Sequence, residues 1–305
     1  MSQSEYLTNI FNKNKDAVLD QLSKTECFGV GEIDCKITTI IPFTSRMNHL
    51  RCLIESYIKS KEECEFEKGE IVVVEHSEHP EAKDLCLINK IPYMFIPREN
   101  KLFNKCLCMN AGSFMSKGKF LMFHDVDIPI PSKFWSNLDK NMSNYFLPTH
   151  YIQSFTKKRI NYISEHASNE ILNNKIDLYK VCRNKSLYKK GSVGAPGGSI
   201  LVRRDTFEKV GGYDPYYFTE YSAEDAFFLD KLSSYSEFRG CDNPPIEMFH
   251  IFHEQAWKKC NKDNLKISAT IFKTFSNLKL DEKKLLMKLF RKSLYEQQLV
   301  VKNNK

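Results

Sequence analysis

The chain has 305 residues, 42% hydrophobic and 27% charged, with 12 Gly and 11 Pro, a balance that suits a globular protein and excludes a disordered or fibrous one. Its apolar runs, such as residues 37–43, 71–74 and 120–123, stop well short of the ~18 residues a membrane span needs. The net charge of +7 is local: residues 258–305 carry 13 Lys and Arg against 4 Asp and Glu, and the rest of the chain is slightly acidic. A basic segment confined in this way points to an anionic membrane surface, whereas nucleic-acid binders more often spread basic residues through the folded domain with aromatics between them.

In chain order, the apolar positions Leu7, Ile10, Phe11, Val18, Leu19 and Leu22 predict one or two short helices in an N-terminal extension, residues 1–36. From residue 37 the pattern changes to short β-branched runs alternating with helical stretches. Strands are expected at 37–41, 71–74, 93–96 and 120–123, and helices at 48–59 and 104–116. This alternation predicts an α/β fold, a mainly parallel sheet flanked by helices, with ligands at the carboxyl ends of the strands. Residues 144–190 are rich in Asn, Lys and Tyr and hold no glycine. Beyond them come a strand at 197–202, a short helix with Asp205 as N-cap ending at Gly211-Gly212, a helix opening at 222–225, a strand at 246–251 and a helical tail, residues 255–305.

The start of the chain lacks the basic and apolar regions of a secretory signal. The ten cysteines are scattered without a Cys-x-x-Cys pair, and the expectation is a cytoplasmic protein with reduced, packing cysteines.

Three groups of residues can carry chemistry. Asp125-Val126-Asp127 directly follows an apolar strand, where two carboxylates suit a hard cation and a diphosphate; in isolation such a triplet is as easily a loop turn. His250 and His253 stand three apart at a strand's end, and imidazole suits a transition metal. Glu224-Asp225 opens a helix, where Ser222 and Asp225 read either as a capping box or as a site with a proton acceptor at the positive end of the helix. The glycines Gly194, Gly197, Gly198, Gly211 and Gly212 permit close backbone approach to a ligand.

Taken in order, Ile40-Ile-Pro-Phe-Thr-Ser-Arg46 with His49-Leu50, Phe103-Asn-Lys105 with Asn110-Ala-Gly112, Asp125-Val-Asp127 with Ile130-Pro131, Gly197-Gly198, Gly211-Gly-Tyr213, Glu224-Asp225 and His250-x-x-His253 resemble the β-1,4-galactosyltransferases and the related bacterial family 2 type sugar transferases. The resemblance covers residues 37–254. It implies a GT-A fold and an inverting, metal-dependent transfer of Gal or GalNAc from a UDP-sugar to a bacterial surface glycan such as lipooligosaccharide, capsule or O-antigen. By position, Pro42, Phe43, Arg46, Phe103, Lys105, Asp125, Val126, Gly197 and Gly198 would bind the nucleotide sugar. Asp127, His250 and His253 would hold Mn²⁺ or Mg²⁺. Asp225 would be the catalytic carboxylate, with Glu224 beside it at the acceptor. The small Ala195 would leave room for an N-acetyl group on the donor.

Two departures from the animal enzymes stand out. Their Trp-Gly-Trp-Gly-Gly segment is replaced by Phe218-Thr-Glu-Tyr-Ser-Ala223, and their Met-x-x-His by His250-x-x-His253. Those proteins also work behind a membrane anchor and use disulfides, so the bacterial branch fits better. Another UDP-sugar, UDP-Glc or UDP-GlcNAc, is the alternative donor. A nucleotidyltransferase would need a Gly-rich phosphate loop where Pro42-Phe-Thr-Ser-Arg46 stands, and a non-catalytic glycan-binding protein would need neither Asp225 nor the metal ligands. The tail is expected to carry an apolar stripe, Leu278, Leu285, Leu286, Leu289, Phe290 and Leu294, flanked by Lys283, Lys284, Lys288, Arg291 and Lys292. With it the enzyme could sit peripherally on the cytoplasmic face of the inner membrane, where a lipid-linked acceptor would be found. Its removal, residues 276–305, is expected to spare activity on a soluble acceptor.

Overall fold

The computed structural model describes residues 1–29, 36–63, 69–99, 102–130, 134, 152–154, 160–190, 198–220, 222–235, 238–239, 248–254 and 261–304. Helix α1 (Gln3–Ser23) leads to strand β1 (Glu26–Phe28), and then strands and helices alternate: β2 (Ile37–Phe43), α2 (Met47–Glu63), β3 (Gly69–Ser77), α3 (Lys83–Ile88), β4 (Tyr93–Pro97), α4 (Lys105–Met115), β5 (Phe120–His124). Next are β6 (Ile152–Ser154), β7 (Ile160–Ile163), α5 (Glu165–Leu172), α6 (Leu178–Arg183), β8 (Tyr188–Lys190), β9 (Ser199–Arg203) and α7 (Arg204–Val210). The chain continues through α8 (Glu224–Ser233), β10 (Phe238–Arg239), β11 (Met248–His250), α9 (Lys262–Ser276) and α10 (Leu280–Asn303).

One sheet has the order β1-β4-β3-β2-β5-β9-β6-β10, and a smaller one the order β11-β7-β8. Strands β4, β3, β2 and β5 run parallel, while β1 and β9 run antiparallel to their neighbours. Every residue of β2 and β3 is buried, as expected of parallel strands covered on both faces. Alternation then sorts their side chains: Ile40, Val72 and Val74 join the core under α1, α4 and α10, and Ile37, Ile41, Ile71 and Val73 the core under α2.

The N-terminal pattern forms a single helix of 21 residues, closed by a capping box between Ser2 and Glu5. It buries Leu7, Phe11, Val18 and Leu22 in the same core as Phe275, Leu286, Phe290 and Leu294 of the C-terminal helices. The tail is therefore built into the fold, and removing residues 276–305 strips Leu286, Met287, Phe290 and Leu294 from that core. Two tail side chains also lie opposite to expectation. Leu285 is 63% exposed, whereas Lys283 is turned inward, its ammonium 2.8 Å from Asp230 Oδ1.

Asp205 is not an N-cap. Arg203 caps α7, and Asp205, in the first turn, accepts hydrogen bonds from the amide of Thr206 and the guanidinium of Arg203. The helix ends as expected at Gly211, whose φ of +82° suits glycine, and an added Cβ would lie 2.5 Å from Cβ of Phe290. The close approach of α10 and the left-handed turn therefore both require this residue. Helix α3 carries no long periodic pattern and has no counterpart in the sequence reading.

A buried ion pair ties α8 to the turn after α7. Lys231, with no solvent exposure, places its ammonium 2.5 Å from Asp214 Oδ2 and donates to the Gly212 carbonyl at 2.5 Å. The rings of Phe227, Phe228 and Phe290 surround it. Burial pushes the Asp214 carboxyl up to about 6 and the Lys231 amine down, and each offsets this for the other. Breaking the pair leaves one buried charge without a partner, so Lys231→Met is expected to lower unfolding stability by about 3–5 kcal/mol. Adding Asp214→Asn should return much of that loss in urea denaturation. A double variant no more stable than the single one would show that the pair does not carry the contact.

Candidate active site

The carboxyl ends of β2, β3, β4 and β5 open onto one region, and the turns after β2, β4 and β5 supply it with polar groups. After β2, Arg46 takes a left-handed backbone, φ 73°, and its carbonyl accepts the amides of His49 and Leu50. Its guanidinium turns back to Asp127 Oδ2, 2.7 Å away. After β4, Asn104 caps α4 through its side chain, and Lys105 is the first residue of the helix. After β5, the Asp125–Asp127 loop is held from two sides: the amide of Asp125 donates to the Gly198 carbonyl at 2.8 Å, and the amide of Ile251 to the Asp127 carbonyl at 2.9 Å. His124 closes the same loop from beneath, its ring nitrogens meeting the Ser199 hydroxyl at 2.8 Å and the Ile128 carbonyl at 2.6 Å. Burial holds that imidazole down at about 4, so it stays neutral, with Nε2–H donating to the carbonyl.

Two charge clusters result. In the first, Lys105 Nζ lies 2.9 Å from Asp125 Oδ1, 3.0 Å from Asp225 Oδ2 and 3.8 Å from Glu224 Oε1. Burial opposes the charge on this amine, but the three carboxylates raise it well above its ordinary value. The Tyr213 hydroxyl lies 3.5 Å from the other oxygen of Asp225. Burial, together with the neighbouring Asp225 charge, pushes Glu224 up to about 7, and burial also raises Asp125, to about 6, against the pull of Lys105. Asp225 does not cap its helix. Ala223 occupies that position without a side-chain bond, and the Ser222 hydroxyl donates to Glu224 Oε2 at 2.9 Å. The capping-box reading of this segment is thereby corrected, because both acidic side chains turn toward Lys105.

In the second cluster, Asp127 faces His253 Nε2 at 2.9 Å and His250 Nε2 at 3.6 Å. Burial alone would raise the Asp127 carboxyl, but the hydrogen bond from His253 and the charges of His250, His253 and Arg46 hold it well below the usual carboxylate range. Arg46 and His253 both bind Oδ2, whereas Oδ1 is buried and, among the described residues, has no hydrogen-bond partner. Ligand atoms of Asp127, His250 and His253 all lie within 4.8 Å of one another. One carboxylate oxygen and two imidazoles around a free oxygen fit a divalent metal ion.

Of the remaining residues expected at the site, Phe43 and Val126 turn into the core under α2, and Pro42 is buried in β2. Phe103 is partly buried with its ring centroid 6.1 Å from that of His76. Gly198 takes a φ of 98° at the mouth of β9. Gly194, Ala195, Gly197 and Tyr221 lie outside the described residues. The sequence reading missed His124, Tyr213 as a neighbour of Asp225, and Ser268, whose hydroxyl accepts the Ala223 amide at 2.9 Å and fixes the entrance of α8.

No protein-family model matches the sequence, and no curated protein matches it. Among solved structures, residues 1–349 of S. aureus TarS in complex with UDP-GlcNAc match with a TM-score of 0.51 at 14% identity, covering 84% of this chain and 71% of that one. The chain has the GT-A fold. Two further matches are the catalytic domain of Drosophila β1,4-galactosyltransferase 7 with xylobiose (TM-score 0.46, 14% identity, 81% of this chain and 83% of that one) and the Pyrobaculum calidifontis mannosyltransferase with GDP-Man and Mn²⁺ (TM-score 0.45, 14% identity, 99% and 97%).

The raised Glu224 carboxyl gives a stability test. Its folded value near 7 lies above the ordinary 4.5, so the folded state holds an extra proton between these pH values, and the stability linked to this group falls as pH rises through that window. Glu224→Gln cannot ionise there. The melting temperature of the variant, measured relative to wild type, should therefore rise between pH 5 and pH 8. A difference constant across that range would mean that Glu224 titrates normally.

Proposed function

We propose that the protein is an inverting, metal-dependent glycosyltransferase that moves a hexosyl group from a UDP-sugar to a glycan hydroxyl. The observation that carries this reading is the meeting of Asp125, Asp127, Glu224 and Asp225 at the strand ends of a GT-A sheet. Asp225 is the general base. It takes the proton of the acceptor hydroxyl as that oxygen attacks the anomeric carbon from the face opposite UDP, and UDP departs with the electrons of the broken bond. Lys105 keeps Asp225 in position and its negative charge balanced. Glu224, whose carboxyl burial pushes up to about 7, can in its protonated form donate a hydrogen bond to the acceptor. Arg46 and Lys105, which reach Asp127 and Asp125, would supply positive charge to the diphosphate.

Asp127, His250 and His253 are the residues that would hold the metal ion. When bound, it supplies positive charge to the leaving diphosphate. Two imidazoles argue for a transition metal, and the carboxylate with phosphate oxygens argues for a hard one; Mn²⁺ meets both conditions, with Mg²⁺ the alternative. Gal or GalNAc as the transferred sugar rests on the order of motifs shared with the galactosyltransferases. A second reading, UDP-GlcNAc, is supported by the ligand of the TarS structure. The acceptor on this reading is a bacterial surface glycan, lipid-linked during assembly, and the free thiols of Cys52, Cys86, Cys106 and Cys108 suit a reducing, cytoplasmic compartment.

Asp225→Asn is expected to reduce transfer at least ~10²-fold, the contribution of a positioned base, while UDP affinity in Mn²⁺ changes little by calorimetry. Asp127→Ala and His253→Ala should instead lose the Mn²⁺-dependent part of UDP binding. Turnover of Asp225→Asn within about tenfold of wild type, below that contribution, would assign the base elsewhere, and equal UDP affinity in EDTA and in Mn²⁺ would remove the metal from the site.

A further inference from the structure

Helix α10 has two faces, and among the described residues only one is packed into the core. Leu286, Met287, Phe290, Leu294, Gln297 and Val301 are buried, a set that recurs at helical spacing on one side. On the opposite side Leu285, Lys288, Lys292, Tyr295 and Leu299 recur at steps of three and four residues, and all are exposed, Leu285 by 63% and Tyr295 by 61%. Lys284, Arg291 and Lys302 border this face and are exposed as well. Lys288, Arg291, Lys292 and Tyr295 line a shallow cleft at its middle. The acidic residues of the helix do little to neutralise it. Glu296 pairs with Lys15 at 2.5 Å, Glu282 accepts the Lys279 amide at 3.0 Å, and Asp281 sits in the first turn.

We infer that the outer face of α10 is a docking surface for an anionic lipid leaflet. Three features select that partner. The face is one side of a single helix, about 25 Å long at 1.5 Å per residue, so it suits an extended surface better than a deep protein pocket. Its basic side chains, Lys284, Lys288, Arg291 and Lys292 with Lys302 near the end, complement the diffuse negative charge of a leaflet. Leu285, Tyr295 and Leu299 lie among them, and an apolar side chain or an amphipathic aromatic ring enters the headgroup layer favourably. No helix among the described residues is long and apolar enough to cross a membrane, so contact through α10 would be along the surface. This inference stands apart from the proposed reaction, because its test measures binding alone.

The test is co-sedimentation of the full chain with vesicles of phosphatidylcholine, with and without phosphatidylglycerol. Binding is expected only to the anionic vesicles and should weaken with added salt. Lys288→Gln with Lys292→Gln should lower the partition coefficient about 30-fold, roughly fivefold for each basic residue removed. Leu285→Ser with Leu299→Ser should lower it also, and both double variants should keep the wild-type melting temperature, since these side chains lie outside the core. Equal sedimentation with neutral and anionic vesicles, or wild-type binding by the Lys288/Lys292 variant, would overturn the inference. So would binding of an acidic polypeptide in solution with no binding to either vesicle, because it would assign the face to a protein partner.

Discussion

Four carboxyl groups, on Asp125, Asp127, Glu224 and Asp225, meet in one partly to fully buried region, and the site depends on how their charge is balanced. Lys105 does this for three of them, and Arg46 with His253 for the fourth. Buried carboxylates without such partners would take up protons. The balance divides the site into two clusters. The Lys105 side holds Asp225 beside Glu224, whose carboxyl burial pushes up to about 7, and the Asp127 side holds a carboxylate and two imidazoles whose ligand atoms lie within 4.8 Å of one another.

Much of this was legible in the sequence because it depends on local periodicity. The β-branched runs at 37–41 and 71–74 and the apolar run at 93–96 need burial on both faces, which a parallel sheet provides, and the turns after them then fall together at one edge. Asp125-Val-Asp127, Glu224-Asp225 and His250-x-x-His253 could be picked out because each follows a strand or opens a helix. What remained hidden depends on contacts between distant parts of the chain. A reading of neighbours along the sequence makes Ser222 and Asp225 a capping box, but Lys105, about 120 residues earlier, turns the carboxylate away from the helix end. Ser268 and His124 serve the site through single hydrogen bonds, and no spacing marks them.

The two terminal helices show the same limit. Amphipathic periodicity identified them, but it could not distinguish a helix that covers the core from one that lies free. Helix α1 packs Phe11 on Tyr216 and Phe290 with ring centroids 4.4 and 5.9 Å apart, and the Tyr217 hydroxyl donates to the Leu7 carbonyl. The turn from Gly211 to Tyr217 is therefore enclosed by both ends of the chain. Tyr213, within this turn, is fixed by Asn110, which accepts its amide and donates to its carbonyl, and Asn110 in turn donates to Gln297 of α10. The surroundings of Asp225 thus depend on packing that begins with α1 and ends with α10.

The central claim is that this charge-balanced site activates a nucleotide-diphosphate sugar with a metal ion. Release of free UDP from a panel of UDP-sugars, incubated with the purified protein and no acceptor, tests it most directly because water can replace the unknown hydroxyl. The account predicts slow UDP release from one or a few UDP-hexoses in Mn²⁺, abolished by EDTA and by Asp127→Ala. Absence of release and of binding for every UDP-sugar in Mn²⁺ would contradict it, as would release that is unchanged by EDTA.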